Sequence, residues 1–168
     1  MRVPMLALLG LLHLPQPEQR FPTVTSDNLE GRTLTLPRDF EGKRNVVFVA
    51  FLREHQNDVD TWVPTVKRLL VEHPGTSYYE LPTLKRGVAL WRWSLNKGMK
   101  MGIPDRTARE HTITLYLEKE PFRAALGIPD EKNIHLLVVD RDGRILWRTT
   151  GRWNEDEGAA LAAALAAK

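Results

Sequence analysis

Asn45-Val46-Val47-Phe48-Val49-Ala50-Phe51 is an unbroken apolar run of strand length, rich in β-branched and aromatic residues. Such a run without alternation fits a strand covered on both faces, and it predicts the central strand of a sheet at 45–51. Downstream the period changes. From Asp60 onward Trp62, Val66, Leu69 and Leu70 recur at helical spacing, with Asp60 placed as N-cap and Pro64 tolerable only near the first turn. This predicts a helix to about His73, ended by Pro74-Gly75. Residues 76–81 read as a second strand, so the unit is β-α-β with a right-handed crossover expected.

Upstream of the central strand, the turn Asn28-Leu29-Glu30-Gly31 precedes Thr33-Leu34-Thr35-Leu36, which alternates at period two and predicts an N-terminal β-hairpin. Beyond it, Val88, Trp91, Leu95 and Met99 at helical spacing predict a helix over 85–101, closed by Gly102. A third core strand is expected at 112–117. A short helix around Phe122, Ala125 and Leu126 ends at Gly127. Strands at 134–139 and 144–149 are joined by Asp140-Arg141-Asp142-Gly143, a strong hairpin signal. Asn154 and Glu157 form a variant capping box that opens an alanine-rich terminal helix.

The whole is an α/β fold in one domain, 21–168, as the length of 168 residues and 42% apolar content allow. Residues 1–20 form an apolar segment and a Pro-rich linker. The stretch 3–14 has the charge and length of a signal-peptide start without a small-x-small cleavage pattern, and it is too short to span a bilayer. A trimmed signal, an uncleaved anchor and a helix packed on the domain all fit it, which leaves the location between cytoplasm and membrane. The 24 basic and 21 acidic residues nearly cancel. A net charge of +3 argues for nucleic acid only if the charge is clustered. Cysteine is absent altogether, which removes disulfides, thiolate nucleophiles and zinc-cysteine sites from this chain's own chemistry.

The element order, with Val49-Ala50-Phe51 in the central strand and Val138-Val139-Asp140-Arg141-Asp142-Gly143-Arg144-Ile145 in the closing hairpin, resembles the peroxiredoxin-like and periplasmic-reductase-like branch of the thioredoxin superfamily. That resemblance implies a three-layer α/β/α fold with a mixed sheet, an N-terminal β-hairpin and an inserted basic helix. Laid against that branch without gaps, the usual CxxC falls on Gln56-Asn57-Asp58-Val59, and the usual cis-proline falls on Ile134. Both halves of the redox site are thus replaced, so the former redox positions are Gln56, Val59 and Ile134. Gly98 to Asp105, Thr112 to Tyr116, Phe122 to Ile128, Asp140 to Trp147 and the following Gly151 resemble the mitochondrial ATP synthase assembly-factor family numbered ten. In that family the thioredoxin-like domain is non-redox and helps join membrane subunits. The resemblance implies an assembly factor or chaperone that binds another protein, with a membrane protein as partner.

Between Lys85 and Arg109 stand seven basic residues and one acidic residue, interleaved with Trp91, Trp93, Met99 and Met101. A basic amphipathic helix with tryptophan and methionine suits an anionic membrane surface or an apolar partner helix. Trp91, Arg92, Trp93, Lys97, Lys100 and Met101 are the candidate partner-binding residues. Two positions apart, Trp91 and Trp93 do not share a face, so one is expected in the core and the other exposed. No groove-reading or RNA-binding motif accompanies them, and nucleic acid is not an expected partner.

His55, Asp58 and Asp60, with Glu54, fall in the loop expected after the central strand. They are weak candidates for a metal or for acid–base work, since no established ligand spacing is present. No metal and no cofactor is expected, and catalysis is less expected than binding. The alternative is a metal- or small-molecule-binding protein or enzyme that reuses residues 54–60; a redox label would rest on the fold alone. The remaining histidines read as surface or structural. Trp147 and Trp153 read as cover for a sheet edge, and Arg144, Arg148 and Arg152 as a row along one strand face.

Overall fold

The computed structural model describes residues 19–167; the apolar segment, its linker and His13 lie outside them up to residue 18. Strands β1 (Val24–Asp27) and β2 (Thr33–Leu36) pair antiparallel as a separate two-stranded sheet. The main sheet has the order β5-β4-β3-β6-β7, with β3 at Arg44–Ala50, β4 at Thr76–Lys85, β5 at Leu115–Leu117, β6 at His135–Asp140 and β7 at Ile145–Thr150. β3 is parallel to β4 and β4 to β5, whereas β6 is antiparallel to both β3 and β7. The sheet is therefore mixed, as expected.

The central run divides its side chains between two cores at period two. Val46 and Phe48 face α1 (Gln56–Glu72) and α5 (Glu155–Ala166), joining Trp62, Leu69, Leu136, Val138 and Leu161. Val47, Val49 and Phe51 face the hairpin and α4 (Lys119–Ala125), joining Leu34, Leu36, Phe122, Leu126 and Leu137. Because both faces are covered, nothing in the run could be polar without a partner. Asn45 is the exception that has its partners. Fully buried, it accepts from Gly42 N–H at 3.0 Å and donates to the carbonyls of Gly42 at 3.0 Å and Val139 at 3.2 Å.

The short capped elements follow the sequence closely. Gly143 closes the β6–β7 turn at φ +81°, Gly127 follows α4, and Asn154 Oδ1 accepts from Glu157 N–H at 2.9 Å to start α5. The start of β7 is lined by the incoming chain: Ile145 N–H donates to Gln19 O at 2.9 Å, and Arg20 bridges to Arg144.

Four expectations are corrected. α1 begins at Gln56, after a 3-10 turn at Arg53–His55, so Asp60 is not its N-cap and residues 54–60 are helical turns rather than a loop. The first turn hides from an apolar pattern because one of the residues it buries is His55. Pro64 sits in the helix interior, on the exposed face, where it offers the Asp60 carbonyl no N–H. The helix expected over 85–101 is instead the end of β4, a 3-10 segment at Arg86–Trp91 and α2 at Arg92–Gly102. An unexpected helix, α3 (Arg106–His111), follows with Asp105 accepting from Thr107 N–H at 3.0 Å. The strand expected over 112–117 shrinks to three residues, with isolated bridges Glu80–Thr112 and Asn28–Ile113 before it.

Candidate functional site

The C-terminal end of β3 leads through the 3-10 turn into α1, whose start carries two of the three positions on which the resemblance lays a redox site. Gln56 and Val59 occupy the first turn of α1; Val59 is buried, and Gln56 Nε2 donates to Asp60 Oδ1 at 3.0 Å. Ile134 is buried in the core shared with α1, and the peptide bond before it is trans.

His55 points inward at this junction and is only 3% exposed. Its Nδ1 accepts the Phe51 N–H at 3.2 Å, which leaves a proton to Nε2, and that buried N–H has no acceptor among the described residues. Nε2 thus presents a proton, not the lone pair that a metal requires. Asp58 and Asp60 turn away from it and from each other, as positions two apart on a helix must. Asp58 pairs with Arg152 at 3.3 Å, and Asp60 holds Gln56. The structure does not bring His55, Asp58 and Asp60 together, and among the described residues no group of three or more His, Asp or Glu side chains is placed to hold a metal.

Two further residues around Phe51 carry no site signal in the sequence. His135, at the start of β6, is buried with Phe51 edge-on at a centroid distance of 6.5 Å. Burial first, then the charge of Arg148, pushes its pKa down to about 4; Asp130 opposes the shift and His55 adds to it. Lys119, the first residue of α4, is also buried; its Nζ donates to Glu131 Oε2 at 2.8 Å and to Phe51 O at 3.3 Å. A lysine inside an amphipathic pattern gives no signal that it will turn inward. Around Phe51 the fold packs His55, His135 and the Lys119–Glu131 pair.

On the other side of Gln56 a cavity of about 320 Å³ opens between α1, β4 and the α2–α3 connection, lined by Gln56, Asp60, Lys67, Tyr78, Glu80 and Asp105. Burial raises the Glu80 pKa, opposed by the Gln56 hydrogen bond and reinforced by the charge of Asp60.

The basic aromatic segment is different in kind. α2 buries none of its residues. Trp91 is 69% exposed, Trp93 76% and Met101 78%, so the expectation that one tryptophan enters the core is overturned. What holds the helix is polar. Arg92 lies 3.5 Å from Asp27 and 5.3 Å from the Tyr116 ring centroid, Tyr116 Oη donates to Asn96 Oδ1 at 2.9 Å, and Lys100 pairs with Glu30 at 3.1 Å. Of the candidate binding residues, then, Arg92 and Lys100 anchor the helix to the hairpin. Trp91, Trp93, Lys97 and Met101 remain at the surface, with Lys97 Nζ 4.9 Å from the Trp93 ring centroid.

Trp147 is half-buried against the α1–α5 core, and Trp153 lies over Gly158 on α5. The arginine row divides: Arg144 pairs with Asp140, Arg152 with Asp58, and a bulge in the β6–β7 ladder intervenes at Val138/Val139.

No protein-family model matches the sequence, and no curated protein does. Solved structures do resemble it. BsSco, described as a member of the Sco family of cytochrome c oxidase assembly proteins, superposes at TM-score 0.61 and 15% identity over 90% of this chain and 96% of its own. The thioredoxin domain of a thiol-disulfide oxidoreductase from Bacteroides vulgatus gives 0.53 and 17% over 88% and 96%. A thiol:disulfide interchange protein from Bacteroides sp. gives 0.55 and 17% over 86% of each chain. The fold is thioredoxin-like. It is a thioredoxin-like fold carried by a chain without a single cysteine.

Proposed function

We propose that this protein is a non-redox member of the thioredoxin-like fold that binds another protein, a subunit of a membrane complex under assembly, through the exposed face of α2 and the reshaped first turn of α1. The observation that carries the reading is α2 itself. Trp93 and Met101 stand in solvent on a helix that has no buried residue, with Trp91 exposed at its entry, which costs solvation free energy unless a partner covers them. The missing sulfurs support the non-redox half, because thiol–disulfide exchange needs a thiolate and no other side chain replaces it. The motif resemblance over the second half of the chain supports an assembly role, with an ATP synthase as the complex proposed. The neighbour described as belonging to cytochrome c oxidase assembly proteins supports the same class.

The test is photo-cross-linking from benzoyl-phenylalanine placed at Trp93 or at Gln56, in the tagged protein within native membranes. A covalent adduct with an integral-membrane subunit is expected from at least one position. No adduct from either, with Trp93→Ala and Lys97→Glu silent in cells, overturns the reading. The cavity beside Gln56 favours a second reading, a small-molecule site using Asp60 and Glu80; saturable ligand binding lost in Glu80→Gln would establish it.

A further inference from the structure

We infer that the outer face of α2 is a membrane-surface contact that takes anionic lipid headgroups, an inference that rests on reading this helix as a binding face. The helix sorts its cations by direction. Arg92 and Lys100 face the domain, where Arg92 pairs with Asp27 and Lys100 shares Glu30 with Arg109. Lys85, Arg86 and Lys97 are exposed and carry no ion pair among the described residues, and no acidic residue occurs from 85 to 104. The unpaired charge on this segment is therefore of one sign and directed outward.

The apolar groups are spread around the outward half of the helix. With Arg92, Asn96, Met99 and Lys100 toward the domain, helical geometry places Ser94, Gly98 and Met101 at the centre of the outward arc. Trp93 and Leu95 lie on its two flanks. Trp91 adds a second exposed ring at the helix entry. A partner helix needs a continuous apolar seam, which Ser94, Lys97 and Gly98 interrupt. A bilayer interface needs no register. It accepts indole rings at headgroup depth, with lysine and arginine heads reaching phosphates beside them. Lys97, stacked on Trp93, supplies both from one place.

The experiment uses the full chain with phosphatidylcholine vesicles bearing brominated acyl chains, with and without about 30 mol% phosphatidylglycerol. Tryptophan fluorescence is the readout. Residues 1–20 contain no tryptophan, so quenching reports the domain and not the apolar segment. Quenching is expected on the anionic vesicles and absent on the neutral ones. It disappears in the Trp91→Ala/Trp93→Ala variant, which keeps its far-UV circular dichroism because both rings are exposed. Lys97→Ala weakens binding about fivefold, and raising salt from ~0.1 M to ~0.5 M weakens it further. Equal quenching on neutral vesicles, no quenching on either, or quenching unchanged in the double variant overturns the inference. A polypeptide adduct at position 93 without vesicle quenching also overturns it, while sustaining the binding-face reading.

Discussion

His55 Nδ1 accepts the backbone N–H of Phe51 at 3.2 Å, which turns the end of the central strand into the start of α1 with a buried imidazole as the hinge pin. His55→Ala removes that acceptor and leaves a cavity, so a loss of about 2–3 kcal/mol in urea unfolding is expected. A change below about 0.5 kcal/mol would show that Phe51 N–H finds another partner.

The His135 ring makes stability depend on pH. Its pKa falls from the ordinary 6.5 to about 4 in the folded protein, so between those values the unfolded chain binds more protons. Its contribution is complete above about pH 6.5 and is lost as pH falls toward 4. Arg148, Asp130 and His55 act on the same ring. Denaturant midpoints measured across this window are expected to fall with acid in the wild type and to fall less steeply in His135→Gln.

Lys119 is a buried cation whose carboxylate partner is Glu131. Glu131→Ala leaves its charge with only the Phe51 carbonyl and ring, and is expected to cost about 3 kcal/mol, more than Lys119→Met, which removes charge and cost together. Thermal unfolding of the two variants checks the order.

Gln56 and Val59 occupy one turn of helix, the spacing at which a CxxC pair bonds. Gln56→Cys/Val59→Cys is expected to form an intramolecular disulfide, seen as loss of free thiol by Ellman titration, whereas the wild type shows no reductase turnover. Failure of the pair to oxidise would mean that the first turn does not bring the two side chains to disulfide distance.

Much of the fold was legible because burial leaves a period. β3 and β6 are apolar on both faces, Gly127 and Gly143 mark sharp turns, and Asn154 caps α5. The site was less legible, for the same physical reason. A 3.6-residue period says that a face is apolar but not that anything covers it, so one of Trp91 and Trp93 is expected in the core and both stand in solvent. Conversely His55 and Lys119 are polar by type and buried by packing, since a hydrogen-bonded partner makes burial tolerable and no sequence pattern carries partners separated by twelve residues or more, as Glu131 is from Lys119.

The shape of the main sheet's two borders limits how such chains can meet one another. A border strand with unpaired backbone is a template for strand addition, the route to aggregation. Here β5 is three residues long, and the bridge from Asn28 to Ile113 sits where it would otherwise extend; at the opposite border Gln19 and Arg20 line the start of β7, and Arg148 stands exposed further along it. Edge-to-edge polymerisation is thereby discouraged at both sides. The helix that stands in the open and the shielded borders of the main sheet lie on the same chain.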